Sequence, residues 1–147
     1  MTEKKMIFGG VFNLAAAFMC LASVAFVLLD LGVWNFAESS LEGAEGIGLA
    51  VVFSLAVMIQ FPAMALAMIF HAVSGAIMLL YPRRGVAVHK AVRILNVIFG
   101  VIAAGAGCFF AICYFDVGLV IWGVLTAAAS VASLAAGIVG AVVNHNA

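Results

Sequence analysis

A single histidine, His71, lies within the apolar stretch MIFHAVSGAIMLLYP of residues 68–82. Its imidazole could ligate iron, relay a proton or exchange hydrogen bonds with neighbouring helices. The other two histidines lie elsewhere, His89 in a basic segment and His145 near the C-terminus. A bis-histidine haem within one chain therefore has no second ligand. A haem shared with a partner or a symmetry mate, or a quinone contact, is the redox candidate at His71. Relays through membranes use chains of Asp, Glu or His. Here the nearest carboxylates, Asp30 and Asp116, stand at the ends of apolar runs. The remaining polar side chains of note within those runs are Asn13, Gln60, Asn96, Thr126 and Ser130.

Other chemistry finds little footing. Cys20, Cys108 and Cys113 occupy apolar stretches without a Cys-x-x-Cys, and read as small buried hydrophobes. The five-residue step from Cys108 to Cys113 places them on different faces of a helix. There is no Ser-His-Asp set, His-Glu-x-x-His or phosphate loop. The GAEGIG segment, residues 43–48, lacks a strand-turn-helix context and reads as a flexible turn. The expectation is a protein that is not an enzyme and has no resident cofactor.

The elements that hold His71 follow from composition. Only 8% of the 147 residues are charged and 68% are hydrophobic, against roughly 25% charged in soluble domains. So few charges could not cover a water-facing surface, and lipid is the natural solvent. The clustered basic face needed to bind nucleic acid is missing. Uncharged runs cover residues 6–29, 46–82, 94–115 and, apart from His145, 117 onward. A crossing helix needs about 20 apolar residues. The expected fold is an all-α membrane protein, one four-helix transmembrane domain over residues 1–147, with spans near 6–29, 47–81, 92–115 and 117–143.

All six basic residues, Lys4, Lys5, Arg83, Arg84, Lys90 and Arg93, flank the first span or the central loop. Asp30, Glu38, Glu42 and Glu45 fill the first loop, and Asp116 the third. The positive-inside bias then puts both termini and the central loop in the cytoplasm, in a plasma, inner or organelle membrane. Arg83, Arg84, Lys90 and Arg93 set this topology and anchor at headgroups, where they could also attract anionic lipid. The first apolar run, 24 residues, exceeds a signal peptide's usual core of 7–15, which predicts an uncleaved helix. Nor does AFMC, residues 17–20, form a lipoprotein cleavage box.

The second run is overlong. As one helix its 37 residues would extend roughly 55 Å, beyond the 40–45 Å of a bilayer with headgroups. The expectation is a long helix kinked near Pro62, its N-terminal part lifted above the outer leaflet, with Gln60 satisfying a carbonyl freed by the proline. In the preceding loop Trp34 and Phe36 suit an interfacial belt, and Ser39-x-x-Glu42 resembles an N-cap pair. The third loop, about one turn around Asp116, makes the last two helices a tight hairpin.

Helices in lipid associate through small residues. Gly100, Ala104, Gly107 and Ala111 share one face of the third span. Gly123, Ala127, Ser130, Gly137 and Ala141 form a stripe on the fourth; Gly9, Asn13 and Ala17 do so on the first. Ala63, Ala67, His71, Ser74 and Gly75 fall on one side of the second. His71 therefore points into the bundle, about 18 Å along the helix from Arg83. Its expected partners are Thr126, Ser130 or Asn13.

Four helices with both termini on one side resemble the layout of tetraspan families, the MARVEL-type group in size and claudin-like proteins in topology. That resemblance implies a membrane-organising role. The first loop holds Trp34 but neither the Trp–Gly-Leu-Trp stretch nor the cysteine pair of claudins, so no site residue carries over. The leading expectation is an accessory or scaffold subunit, packed against other membrane subunits or copies of itself. The alternative is a redox, transport or channel subunit that uses His71.

Overall fold

The computed structural model describes residues 2–37 and 51–145, with side chains of the first stretch described through residue 30. The side chains of Trp34 and Phe36, the Ser39-x-x-Glu42 pair, Glu38, Glu45 and the GAEGIG segment lie outside the described residues. Among the described residues every regular element is helical. We number the helices α1 (Thr2–Ala37), α2 (Val51–Arg84), α3 (Lys90–Asp116) and α4 (Val120–His145). Each is long and apolar enough to cross a membrane.

The helix ends differ from the expected spans for local reasons. α1 continues past Asp30 to Ala37, because no proline interrupts that stretch. α2 runs through Pro82, which costs one backbone bond in the last turn, and stops where Gly85 turns left-handed at φ +63°. The Gly85 N–H closes that turn on the Tyr81 carbonyl at 2.7 Å. α3 begins at His89, whose side chain accepts from the Ala91 N–H as a helix cap. Residues 117–119 join α3 to α4, with Gly118 at φ +82°, an angle glycine adopts without steric cost. The connection is as tight as expected.

Pro62 does not act as a bare kink. The turn ahead of it, Ala56–Gln60, is π-helical, and the Phe61 N–H reaches back five residues to the Ala56 carbonyl. This wider turn absorbs the proline and brings Ala56 and Gln60 onto the buried side together.

The four helices form a square bundle. α1 packs on α2 and α4, and α3 packs on α4 and α2, so α1 and α3 occupy opposite corners. Three apolar layers fill the interior. Met6, Met78 and Val88 pack near the termini, Cys20, Met64, Ala67, Ala103 and Ala129 at mid-height, and Val27, Ala56, Phe110, Tyr114 and Trp122 at the far end. Two tiers of hydrogen-bonded side chains lie between them.

Candidate functional site

Close backbone approach makes the first tier. A methyl group on Gly100 would stand 2.9 Å from the Ser133 carbonyl oxygen and 3.5 Å from the His71 ring. One on Gly137 would stand 3.3 Å from the Asn96 carbonyl. Across α1 and α2, Gly10 and Gly75 meet in the same way, a methyl on Gly75 falling 2.9 Å from the Gly10 carbonyl. With the backbones so near, short polar side chains can bridge between helices.

His71, fully buried on α2, bridges two of them. Its Nδ1 lies 2.7 Å from Asn96 Oδ1 on α3, and its Nε2 lies 2.7 Å from the Ser133 hydroxyl on α4. Asn96 Nδ2 donates to Asn13 Oδ1 on α1 at 3.0 Å, across the diagonal of the square. Asn13 Nδ2 donates to the carbonyls of Gly9, at 3.0 Å, and Ala136, at 3.2 Å. The chain of bonds thus runs from Asn13 on α1 through Asn96 and His71 to Ser133 on α4 and touches every helix.

The carbonyl partners give this chain a direction. Carbonyl oxygens only accept, so Asn13 must turn its NH₂ toward Gly9 and Ala136 and its oxygen toward Asn96. Asn96 then donates with its NH₂ and offers its oxygen to His71. That oxygen accepts from Nδ1–H, leaving Nε2 as the acceptor for the Ser133 O–H. This arrangement selects the Nδ1–H tautomer of His71. It also occupies the nitrogen that would otherwise face a ligand. Iron at Nε2 would have to displace Ser133.

These partners correct the expected ones. His71 meets Asn96 and Ser133; Ser130 and Thr126 lie one and two turns away along α4, and Asn13 is reached only through Asn96. Ser130 instead bonds back to the Thr126 carbonyl at 2.6 Å. The α2 stripe is otherwise placed as anticipated, with Ala63, Ala67, His71, Ser74 and Gly75 all buried. The Ser74 hydroxyl makes no hydrogen bond among the described residues.

The second tier lies toward the far end. Gln60, buried by the π turn, donates to Thr126 Oγ1 at 3.4 Å and accepts from the Tyr114 hydroxyl at 2.6 Å. It does not cap a carbonyl freed by Pro62, because the π turn points its amide across the bundle. Ser23 shares Thr126 at 3.4 Å. Beyond it, the Trp122 indole donates to Asp30 at 2.5 Å. Asp30, the residue bounding the first apolar run, is therefore tied to α4. At the other end Asn144 accepts from the Val88 N–H at 3.0 Å and pins the basic loop.

The remaining candidate residues divide by face. Gly100, Ala104 and Gly107 on α3 and Gly123, Ser130 and Gly137 on α4 are buried within the chain. Gly107 sits against Ser130 and Met64, and Gly123 against the Phe115 ring. Ala127 is only half-buried, because the centre of that face runs through Thr126, Ala129, Ser133 and Ala136. Cys20 is buried, but Cys108 is exposed and Cys113 half-exposed, since α3 turns them toward the outer surface. Arg83, Arg84 and Lys90 are exposed, whereas Arg93 is half-buried. No group of three or more potential metal-ligating His, Cys, Asp or Glu side chains occurs among the described residues.

No protein-family model, curated protein or solved structure matches the chain.

Proposed function

We propose that this chain is an integral membrane protein with both termini and the turn at residues 83–93 in the cytoplasm. We infer that it acts without catalysis, as an accessory or scaffold subunit of a membrane assembly or as a homo-oligomer. One observation supports the reading above others. Each side-chain nitrogen and oxygen of His71, Asn96 and Asn13 already has a partner within the chain. An intramembrane histidine suggests function by default, but this one serves to cross-link helices. The buried glycines are likewise used in contacts inside the bundle. What the protein offers its surroundings is the apolar outer face, including Phe18, Leu29, Met58 and Val131.

Extraction in mild detergent followed by cross-linking and mass spectrometry tests this role. The expected result is a second membrane protein, or a second copy, that travels with the chain. A strict monomer without a partner overturns it. Side-specific labelling tests the topology: residues 83–93 should be reached from the opposite side to residues 38–45.

A redox role for His71 requires loss of the Ser133 bond, and a Soret band in the purified protein would favour it. A membrane-organising role of the tetraspan kind is a form of the packing reading, with neighbouring membrane proteins as the partners.

A further inference from the structure

Arg93 differs from the other basic residues in where its side chain lies. Together with Ile94, Val97, Ile98 and Ala141 it lines a cavity of about 230 Å³ between α3 and α4. Four of these residues follow the i, i+1, i+4, i+5 pattern, a single stripe down α3. The fifth, Ala141, leaves the groove open because it has only a methyl group. Ile94 and Ile98 are 48% and 44% exposed, so the groove faces outward from the bundle. It begins one turn inside α3, at the end of the bundle that carries Lys90, Arg83 and Arg84.

We propose that this groove is a binding site for one anionic phospholipid. An acyl chain lies along Ile94, Val97, Ile98 and Ala141, and the phosphate is held by Arg93. The occupant is argued from charge and shape together. The walls below Arg93 are apolar, which suits hydrocarbon. An arginine whose stem lies along apolar surface directs its guanidinium toward the headgroup level. There it presents paired donors that match the phosphate oxygens. Lys90, one turn nearer the helix start, adds positive charge at the same mouth. Arg83 and Arg84 are exposed at the end of α2 and line no part of the groove, so they attract anionic lipid only diffusely.

The test uses the full chain in nanodiscs of mixed phosphatidylglycerol and phosphatidylcholine, with retained lipid counted by native mass spectrometry after detergent exchange. The wild type should keep one phosphatidylglycerol in preference to phosphatidylcholine. Arg93→Gln should reduce that preference about fivefold, the equivalent of roughly 1 kcal/mol for one basic residue. Ala141→Phe should fill the groove and abolish retention. The double variant Arg83→Gln/Arg84→Gln should keep it. Arg93→Gln keeps a polar side chain at a half-buried position and serves as the second variant should Ala141→Phe fail to fold. Unchanged retention in Arg93→Gln overturns the proposal. So does an equal loss in the Arg83/Arg84 double variant, or an Ile98→Cys cross-link that joins two chains through the groove.

Discussion

His71 Nδ1 lies 2.7 Å from Asn96 Oδ1, and that contact joins the two halves of the bundle. Asn96 continues to Asn13 on α1, while the other face of the imidazole holds Ser133 on α4. α1 and α3 occupy opposite corners, so the amide pair Asn13–Asn96 ties a diagonal that small-residue packing does not close. Directional bonds of this kind fix the rotation of each helix, which apolar packing in lipid specifies only weakly.

A double-mutant cycle on His71 and Asn96 measures the strength of their contact. Hydrogen bonds between membrane helices contribute about 0.6 kcal/mol on average and about 1.7 at most. His71→Leu removes both ring bonds and strands the Asn96 oxygen, so it should destabilise the bundle by about 1–3 kcal/mol. Asn96→Leu in the His71→Leu background should cost less than it does alone. Steric-trapping or denaturant unfolding in bilayer mimics gives the numbers. Strict additivity would remove the proposed coupling.

Two glycines provide a contrast in packing. A methyl on Gly75 meets the Gly10 carbonyl, which is backbone and cannot move aside, whereas one on Gly105 meets nothing within 4 Å. Gly75→Ala should cost about 1–3 kcal/mol through overpacking. Gly105→Ala should be neutral or stabilise by up to about 1 kcal/mol, the difference in helix propensity. Comparable losses from both would show that α1 and α2 are not held at this distance.

The π turn can be probed through its product, the Gln60–Tyr114 bond of 2.6 Å. Gln60→Leu leaves the buried tyrosine hydroxyl unpaired and should cost about 1–3 kcal/mol. Adding Tyr114→Phe should recover part of that loss, because replacing both partners with apolar groups is close to neutral. If Tyr114→Phe instead deepens the loss, the hydroxyl has another partner.

Ser74 offers a prediction of opposite sign. Its buried hydroxyl lacks a partner among the described residues, and an unpaired buried polar group costs about 1–3 kcal/mol. Ser74→Ala should leave stability unchanged or raise it by about 1 kcal/mol, as read from the unfolding midpoint. A clear loss of stability would mean that the hydroxyl is engaged.

The four helices were legible because charge marks their limits so sharply, and the inward face of α2 because its small residues recur at helical steps around His71. The partners of His71 were not, since they depend on how each helix is rotated against the next. A signal was nevertheless present. Asn96 stands four residues before Gly100, and Ser133 stands between Ser130 and Gly137, so extending each small-residue stripe picks them out. The roles of Gln60 and Asp30 were hidden for different reasons. A π turn shifts the helical phase by one residue, which periodicity in α-helical steps cannot register. Asp30 marked the end of an apolar run by its charge, and only the folded chain shows the Trp122 indole reaching it.

Solid-state ¹⁵N NMR of the histidine-labelled protein in lipid bilayers reads the two ring nitrogens of His71 individually. Nδ1 should be protonated and in contact with the Asn96 side chain, and Nε2 unprotonated beside Ser133. An Nε2–H tautomer, or a ring that has left both partners, would contradict this assignment and return His71 to the candidates for chemistry.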